Sequence, residues 1–107
     1  MSYRRLCSLD ELSEGVAVAV PLSGGMRVAL LWQRGEVFAF SDHCTHEEAS
    51  LSEGFVDGYV VECGKHGASF DVRTGKVLSL PATRDLSTFP VRLDGRQVLV
   101  DLDRDKE

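Results

Sequence analysis

Short apolar segments broken by glycine-containing turns run through most of the chain. Ser23-Gly24-Gly25, Arg34-Gly35, Asp57-Gly58, Thr74-Gly75 and Asp94-Gly95 punctuate it, and Asp-Gly between β-rich runs is a strong two-residue hairpin signal. The intervening segments, residues 17–20, 26–33, 36–41, 59–62, 69–71, 88–93 and 97–102, take their β preference from Val, Phe and Tyr and read as strands. Alternation is clearest at the end, where Val98, Val100 and Leu102 lie opposite Leu99 and Asp101. Ser8-Leu9-Asp10-Glu11 has the form of a capping box, which predicts one short helical turn before Gly15 and no longer helix. Pro90 lacks a backbone donor inside a strand-like stretch, so it is expected at an edge or a bulge. The charged tail from Asp101 to Glu107 is expected to fray. Strands joined by turns, with no linker or repeat, predict one all-β antiparallel domain over residues 1–107.

Composition narrows the class. With 43% hydrophobic and 27% charged residues the chain is expected to fold. Its longest apolar run, Val16 to Leu22, is seven residues, against the roughly 20 that a membrane-spanning helix needs. Arg4-Arg5 hints at an export signal, but Asp10 and Glu11 interrupt the apolar region such a signal requires, so a cytoplasmic location is expected. A net charge of −5 argues against a nucleic-acid footprint and favours basic partners; excess carboxylates that serve only solubility account for it equally well. Three cysteines in a reducing compartment make a disulfide framework unexpected, leaving metal ligation or burial.

Cysteine and histidine collect in two loops. Cys44-Thr45-His46 is a C-x-H element, sixteen residues intervene, and Cys63-Gly64-Lys65-His66 is a C-x-x-H element. Each loop offers one thiolate and one imidazole. A cluster of two irons and two sulfides takes two protein ligands per iron, and replacing two thiolates by two neutral imidazoles on one iron raises the reduction potential. A structural zinc site uses the same donors, but it pairs like with like along the chain, C-x₂₋₄-C and H-x₃₋₅-H, which is not the pattern here. A clusterless β module is the other alternative.

This spacing resembles the Rieske [2Fe–2S] signature, and the resemblance runs from Cys7-Ser8-Leu9 to Arg96-Gln97-Val98-Leu99-Val100-Asp101. In length and flow the chain is similar to the small Rieske ferredoxins of bacterial aromatic-ring dioxygenase systems of the biphenyl type. The resemblance implies a Rieske-type antiparallel β-sandwich with two cluster-binding loops, and Cys44, His46, Cys63 and His66 as ligands of one [2Fe–2S] cluster. It implies a one-electron carrier, not an enzyme, working between an NADH-dependent flavoprotein reductase and a terminal oxygenase as a monomer. An alternative with the same fold is the Rieske-like small subunit of an assimilatory nitrite reductase.

Departures from the quinol-oxidising Rieske proteins refine the expectation. Ala49 and Lys65 stand where those proteins carry two further, disulfide-bonded cysteines, and Ala68 and Phe70 stand where they place a Ser and a Tyr that donate hydrogen bonds at the cluster. Without those donors the potential is expected near the low end of the Rieske range, about −150 to +300 mV. Once His46 and His66 are committed, only His43 remains, too few for the two-histidine, one-carboxylate iron site of an oxygenase. His43 reads as an exposed loop histidine or a partner contact, and Cys7 as a buried thiol. Glu47 and Glu48 beside the first ligand pair are candidates for steering a basic partner or for a simple solvated loop. Leu80-Pro81-Ala82 resembles a third loop covering the cluster, and Gly64 and Gly67 flank the second ligand pair as backbone-approach or turn glycines.

Overall fold

The computed structural model describes residues 3–43, 50–64, 67–79 and 84–103. Its centre is the hairpin of β3 (Arg27–Gln33) and β4 (Glu36–Ser41), whose register runs from Val28↔Ser41 to Gln33↔Glu36. Arg34 and Gly35 connect the strands with φ of 51° and 82°, the two positive values of the hairpin turn whose twist matches its strands. Val28-Ala29-Leu30-Leu31 and Phe38-Ala39-Phe40 are apolar on both alternating faces, and all seven are buried. A strand buried on both sides requires a layer above and a layer below.

Those layers are the other two sheets. β2 (Ala17–Pro21) and β8 (Thr88–Phe89) complete the central sheet in the order β2-β3-β4-β8. On one face, Val28, Leu30 and Ala39 meet Cys7, Val98 and Val100 from the sheet β1-β10-β9, formed by β1 (Tyr3–Ser8), β10 (Gln97–Asp101) and β9 (Val91–Asp94). On the other, Ala29, Leu31, Phe38 and Phe40 meet Val61 and Phe70 of the sheet β5-β6-β7, formed by β5 (Phe55–Asp57), β6 (Val60–Glu62) and β7 (Ser69–Asp71). Every pairing within these sheets is antiparallel. The all-β antiparallel expectation therefore holds, and the described helices are three single 3₁₀ turns.

Some boundaries differ from expectation for identifiable reasons. Residues 88–93 form two strands, because Pro90 ends β8 in the central sheet and lets β9 start in the outer one. β1 buries only Cys7 among its side chains and is held by backbone pairing to β10, with a bulge between Arg5 and Cys7; no apolar pattern announces such a strand. The tail does not fray from Asp101. That residue is fully buried, pairs with Tyr3, donates its N–H to the Pro90 carbonyl (3.0 Å) and accepts the Asp103 N–H on its carboxylate (3.1 Å). The capping box forms as expected: the Ser8 hydroxyl accepts the Asp10 N–H and the Glu11 carboxylate accepts the Ser8 N–H.

The β5-β6-β7 sheet is pinned to the central hairpin at the end of β6 away from Cys63. Tyr59 packs edge-on against Phe38, with ring centroids 5.6 Å apart, and the guanidiniums of Arg34 and Arg73 lie 5.1 and 4.4 Å from its centroid. Arg73 also grips Asp71 at 2.9 Å. Its hydrogen bond holds the Asp71 carboxyl below the usual carboxylate range, against the opposing effect of burial. Beyond β7 the chain turns through Gly75, where φ is +80° and a Cβ would lie 2.1 Å from the Leu86 carbonyl oxygen.

Two outcomes follow. Gly75→Ala combines a left-handed backbone with a backbone clash and is expected to lose about 2 kcal/mol or more, read as a lower urea midpoint at unchanged slope. A carboxylate with a depressed pKa stabilises the fold above its unfolded pKa and loses that contribution as pH falls through the folded value. Asp71→Asn is therefore expected to be less stable than the parent at pH 7, with the gap closing below about pH 4 in paired urea titrations.

Candidate metal centre

Of the four expected ligands, Cys63 lies within the described residues. Cys44, His46 and His66 lie outside them, as do Glu47, Glu48, Ala49, Lys65 and Leu80-Pro81-Ala82. The described residues form the frame from which these segments depart and to which they return.

The first segment is closed at its base. His43 and Ser50 form a β-bridge on either side of residues 44–49. Beneath it, Asp42 is completely buried. One of its carboxylate oxygens accepts the Ser52 N–H at 2.7 Å, the other takes the Arg27 Nε–H at 3.3 Å, and its carbonyl accepts the Leu51 N–H at 2.8 Å. Leu51–Glu53 is a 3₁₀ turn whose first amides have no partner within the turn. A buried carboxylate is tolerable only when hydrogen-bonded, and here one oxygen satisfies an orphan amide of the turn while the other pairs with a cation. Sequence reasoning did not single out Asp42; its position directly after a strand and two residues before Cys44 was the available signal.

The second segment closes on itself. The Cys63 N–H donates to the Ala68 carbonyl at 2.7 Å and the Gly67 N–H to the Cys63 carbonyl at 3.1 Å, with Gly67 at φ +78°. The two segments touch through backbone. A Cβ on Gly54 would lie 2.0 Å from the Glu62 carbonyl oxygen and 3.1 Å from the Gly64 nitrogen. Only glycine allows the chain leaving the first loop to pass so close to the chain entering the second. Gly54 was not foreseen either. Gly64, which was, meets only ordinary contacts, whereas Gly67 is needed for its positive φ.

The donor chemistry fits an iron–sulfide group. Cys63 is a free thiol, 1% exposed, in the same apolar cluster as Leu51, Ala68 and Phe70. Soft sulfur in a dry apolar wall suits iron and sulfide rather than a hydrated hard cation. Ala68 and Phe70 are fully buried and bring no hydroxyl. Cys7 belongs to the apolar cluster on the opposite face of the central sheet, with its thiol pKa pushed up chiefly by burial, as expected of an inert core cysteine. His43 is exposed, with its N–H on the Ser41 hydroxyl. Among the described residues no three His, Cys, Asp or Glu side chains converge as a metal site.

Comparison with known proteins gives a consistent picture. Residues 2–90 match the family model for the Rieske [2Fe-2S] domain. The biphenyl dioxygenase ferredoxin subunit of Pseudomonas sp. (strain KKS102) is 48% identical over 105 residues, covering 97% of this chain and 95% of that protein. A solved complex of reduced oxygenase and oxidized ferredoxin in carbazole 1,9a-dioxygenase contains a chain 36% identical, with a TM-score of 0.86 over 92% of this chain and 91% of that one. A structure described as a putative nitrite reductase small subunit is 27% identical with a TM-score of 0.79, over 94% of this chain and 98% of that one.

Asp42→Ala removes the acceptor for the Ser52 N–H and the partner of Arg27. The orphaned amide is expected to cost about 1–3 kcal/mol, with little added by the half-exposed Arg27. Asp42→Asn keeps an acceptor for Ser52 and is expected to cost less. Urea titration together with the iron content of each purified variant checks both.

Proposed function

The chain belongs to the Rieske [2Fe–2S] family, and from that membership we propose that it is the ferredoxin of a bacterial aromatic-ring dioxygenase system. It carries single electrons from an NADH-dependent flavoprotein reductase to a terminal ring-hydroxylating oxygenase and does not itself catalyse hydroxylation. The observation that supports this most directly is the near-full-length likeness to a biphenyl dioxygenase ferredoxin subunit. The carbazole dioxygenase complex, in which a ferredoxin meets an oxygenase, supports the oxygenase as one partner. The lower identity to a nitrite reductase small subunit makes that role the less supported one.

In this reading Cys44 and Cys63 would hold one iron and His46 and His66 the other, within a single domain spanning residues 1–107. The group supplies a reversible one-electron couple when bound. The chain's own residues do the rest. Cys63, buried in one apolar cluster with Leu51 and Ala68, keeps its sulfur out of water. Ala68 and Phe70 offer no hydroxyl to offset the charge gained on reduction, which keeps the potential toward the low end of the Rieske range. Such a carrier gives up its electron readily, as transfer to an oxygenase requires. Glu47 and Glu48 favour a basic partner surface. The carrier works as a monomer in the cytoplasm; among the described residues no helix is long and apolar enough to cross a membrane.

Anaerobically purified protein is expected to contain about two irons and two acid-labile sulfides per chain. After dithionite reduction its EPR spectrum should have an average g below that of an all-cysteine cluster. His66→Cys should lower the potential of any cluster it retains. Colourless, sulfide-free wild-type protein would overturn the assignment, and obligate co-purification with a large sirohaem subunit would move the role to nitrite reduction.

A further inference from the structure

The hydroxyl of Ser79 makes three contacts, and their arithmetic fixes its direction. It donates to the Gly67 carbonyl at 3.1 Å, accepts the Ser69 N–H at 3.1 Å and lies 2.7 Å from the Ser69 hydroxyl. A serine hydroxyl has one proton and two lone pairs. With the proton on Gly67 and one lone pair on the Ser69 amide, the Ser69 hydroxyl must be the donor of the short contact. The capacity of Ser79 is then filled: one bond donated, two accepted. Both serines are half-buried, where a hydrogen bond gains from the lower local dielectric. Alongside, the Leu78 N–H donates to the Ser69 carbonyl at 2.8 Å.

These contacts extend to Gly67 a tie between two segments that the backbone already joins through Leu78 and Ser69 and through the bridge of Phe70 with Val77. Gly67 directly follows His66 and takes a positive φ without being crowded, since the nearest atom to a Cβ there is a Glu62 carboxylate oxygen at 3.9 Å. The two peptides flanking Gly67 are therefore held by hydrogen bonds: the Gly67 N–H, in the peptide after His66, on Cys63, and the Gly67 carbonyl, in the next peptide, on Ser79. Ser79 itself directly precedes Leu80-Pro81-Ala82.

We propose that Ser79 is a positioning residue for the second ligand pair, a latch that holds the Gly67 peptide and so sets how His66 meets its iron. The proposal rests on the cluster assignment above. It differs from the hydroxyls of the quinol-oxidising proteins in acting through the Gly67 backbone, from a position in the chain outside both ligand elements.

The test compares holoprotein variants by the EPR g values of the reduced cluster and by the rate of iron release to a chelator. Ser79→Val, close to threonine in shape but without the hydroxyl, is expected to shift the g values and to speed release roughly five- to tenfold, as for one lost buried hydrogen bond. Ser79→Thr should restore both. Ser69→Ala leaves the bond from Ser79 to Gly67 intact and should keep the wild-type g values. Ser79→Val that loads no cluster while Ser79→Thr loads fully supports the latch. Wild-type g values and release rate in Ser79→Val, or a Ser79→Thr variant as impaired as Ser79→Val, overturn it while leaving the carrier assignment standing. Wild-type protein without a reduced-cluster signal overturns the carrier assignment and the latch with it.

Discussion

The fold depends on one hairpin whose both faces must leave water. Val28 to Leu31 on β3 and Phe38 to Phe40 on β4 have no polar side to turn outward, so neither face can be left bare. Burial of a single Leu or Phe side chain is worth about 1.5–3 kcal/mol, and the hairpin buries such side chains upward and downward at once. One face is covered by the sheet built from the two ends of the chain, β1 with β10 and β9. The other is covered by β5-β6-β7, the sheet that carries Cys63. The ligand-bearing layer is thus itself the second half of the core, and Cys63 shares a cluster with Phe40 and Leu31 of the central hairpin.

Where the apolar layers end, polar contacts take over. Asp42 lies completely buried immediately beyond β4 and binds the turn that brings the chain back from residues 44–49. Gly54 lets that returning chain pass against Glu62 and Gly64 with no side chain between. These are specific, directional contacts in place of bulk packing. An apolar residue at position 42 would leave the Ser52 amide without its acceptor, and any side chain at 54 would push the two loop bases apart. The geometry available to the proposed ligands is therefore set by a few hydrogen bonds and one close approach, while the overall stability resides in the layers beneath.

This division explains what could be read from the chain and what could not. β4 and β7 have the bounds that their β-favouring residues and flanking turns indicate, and the Arg34-Gly35 turn has the positive φ pair that a tight hairpin requires. The mixed Cys/His spacing was legible because ligand type and offset are local properties. β1 was not, because its strand character comes from pairing with residues near the other end of the sequence, from Tyr3 with Asp101 to Ser8 with Gln97. β5 is three residues long and leaves Phe55 exposed, so it has no apolar signature either. Asp42, Gly54 and Ser79 are ordinary residues in sequence. Their roles arise only when Ser52, Glu62 and Gly67 are brought beside them, and burial of Asp101 likewise depends on its pairing with the distant Tyr3.

The same division bears on how such a carrier can be tuned. Positions 68 and 70 are fully buried between the ligand-bearing sheet and the central one, so a hydroxyl introduced there must find a partner or incur the cost of an unsatisfied buried polar group, about 1–3 kcal/mol. Ser69, between them on β7, and Ser79, in the bend that follows, are half-buried and already paired with each other. Changes on that outer side alter the loop's hydrogen bonds without opening the core. A ferredoxin whose potential must match a particular reductase and oxygenase can therefore be adjusted at the outer rim of the ligand loops, leaving the apolar hairpin, and with it the fold, untouched.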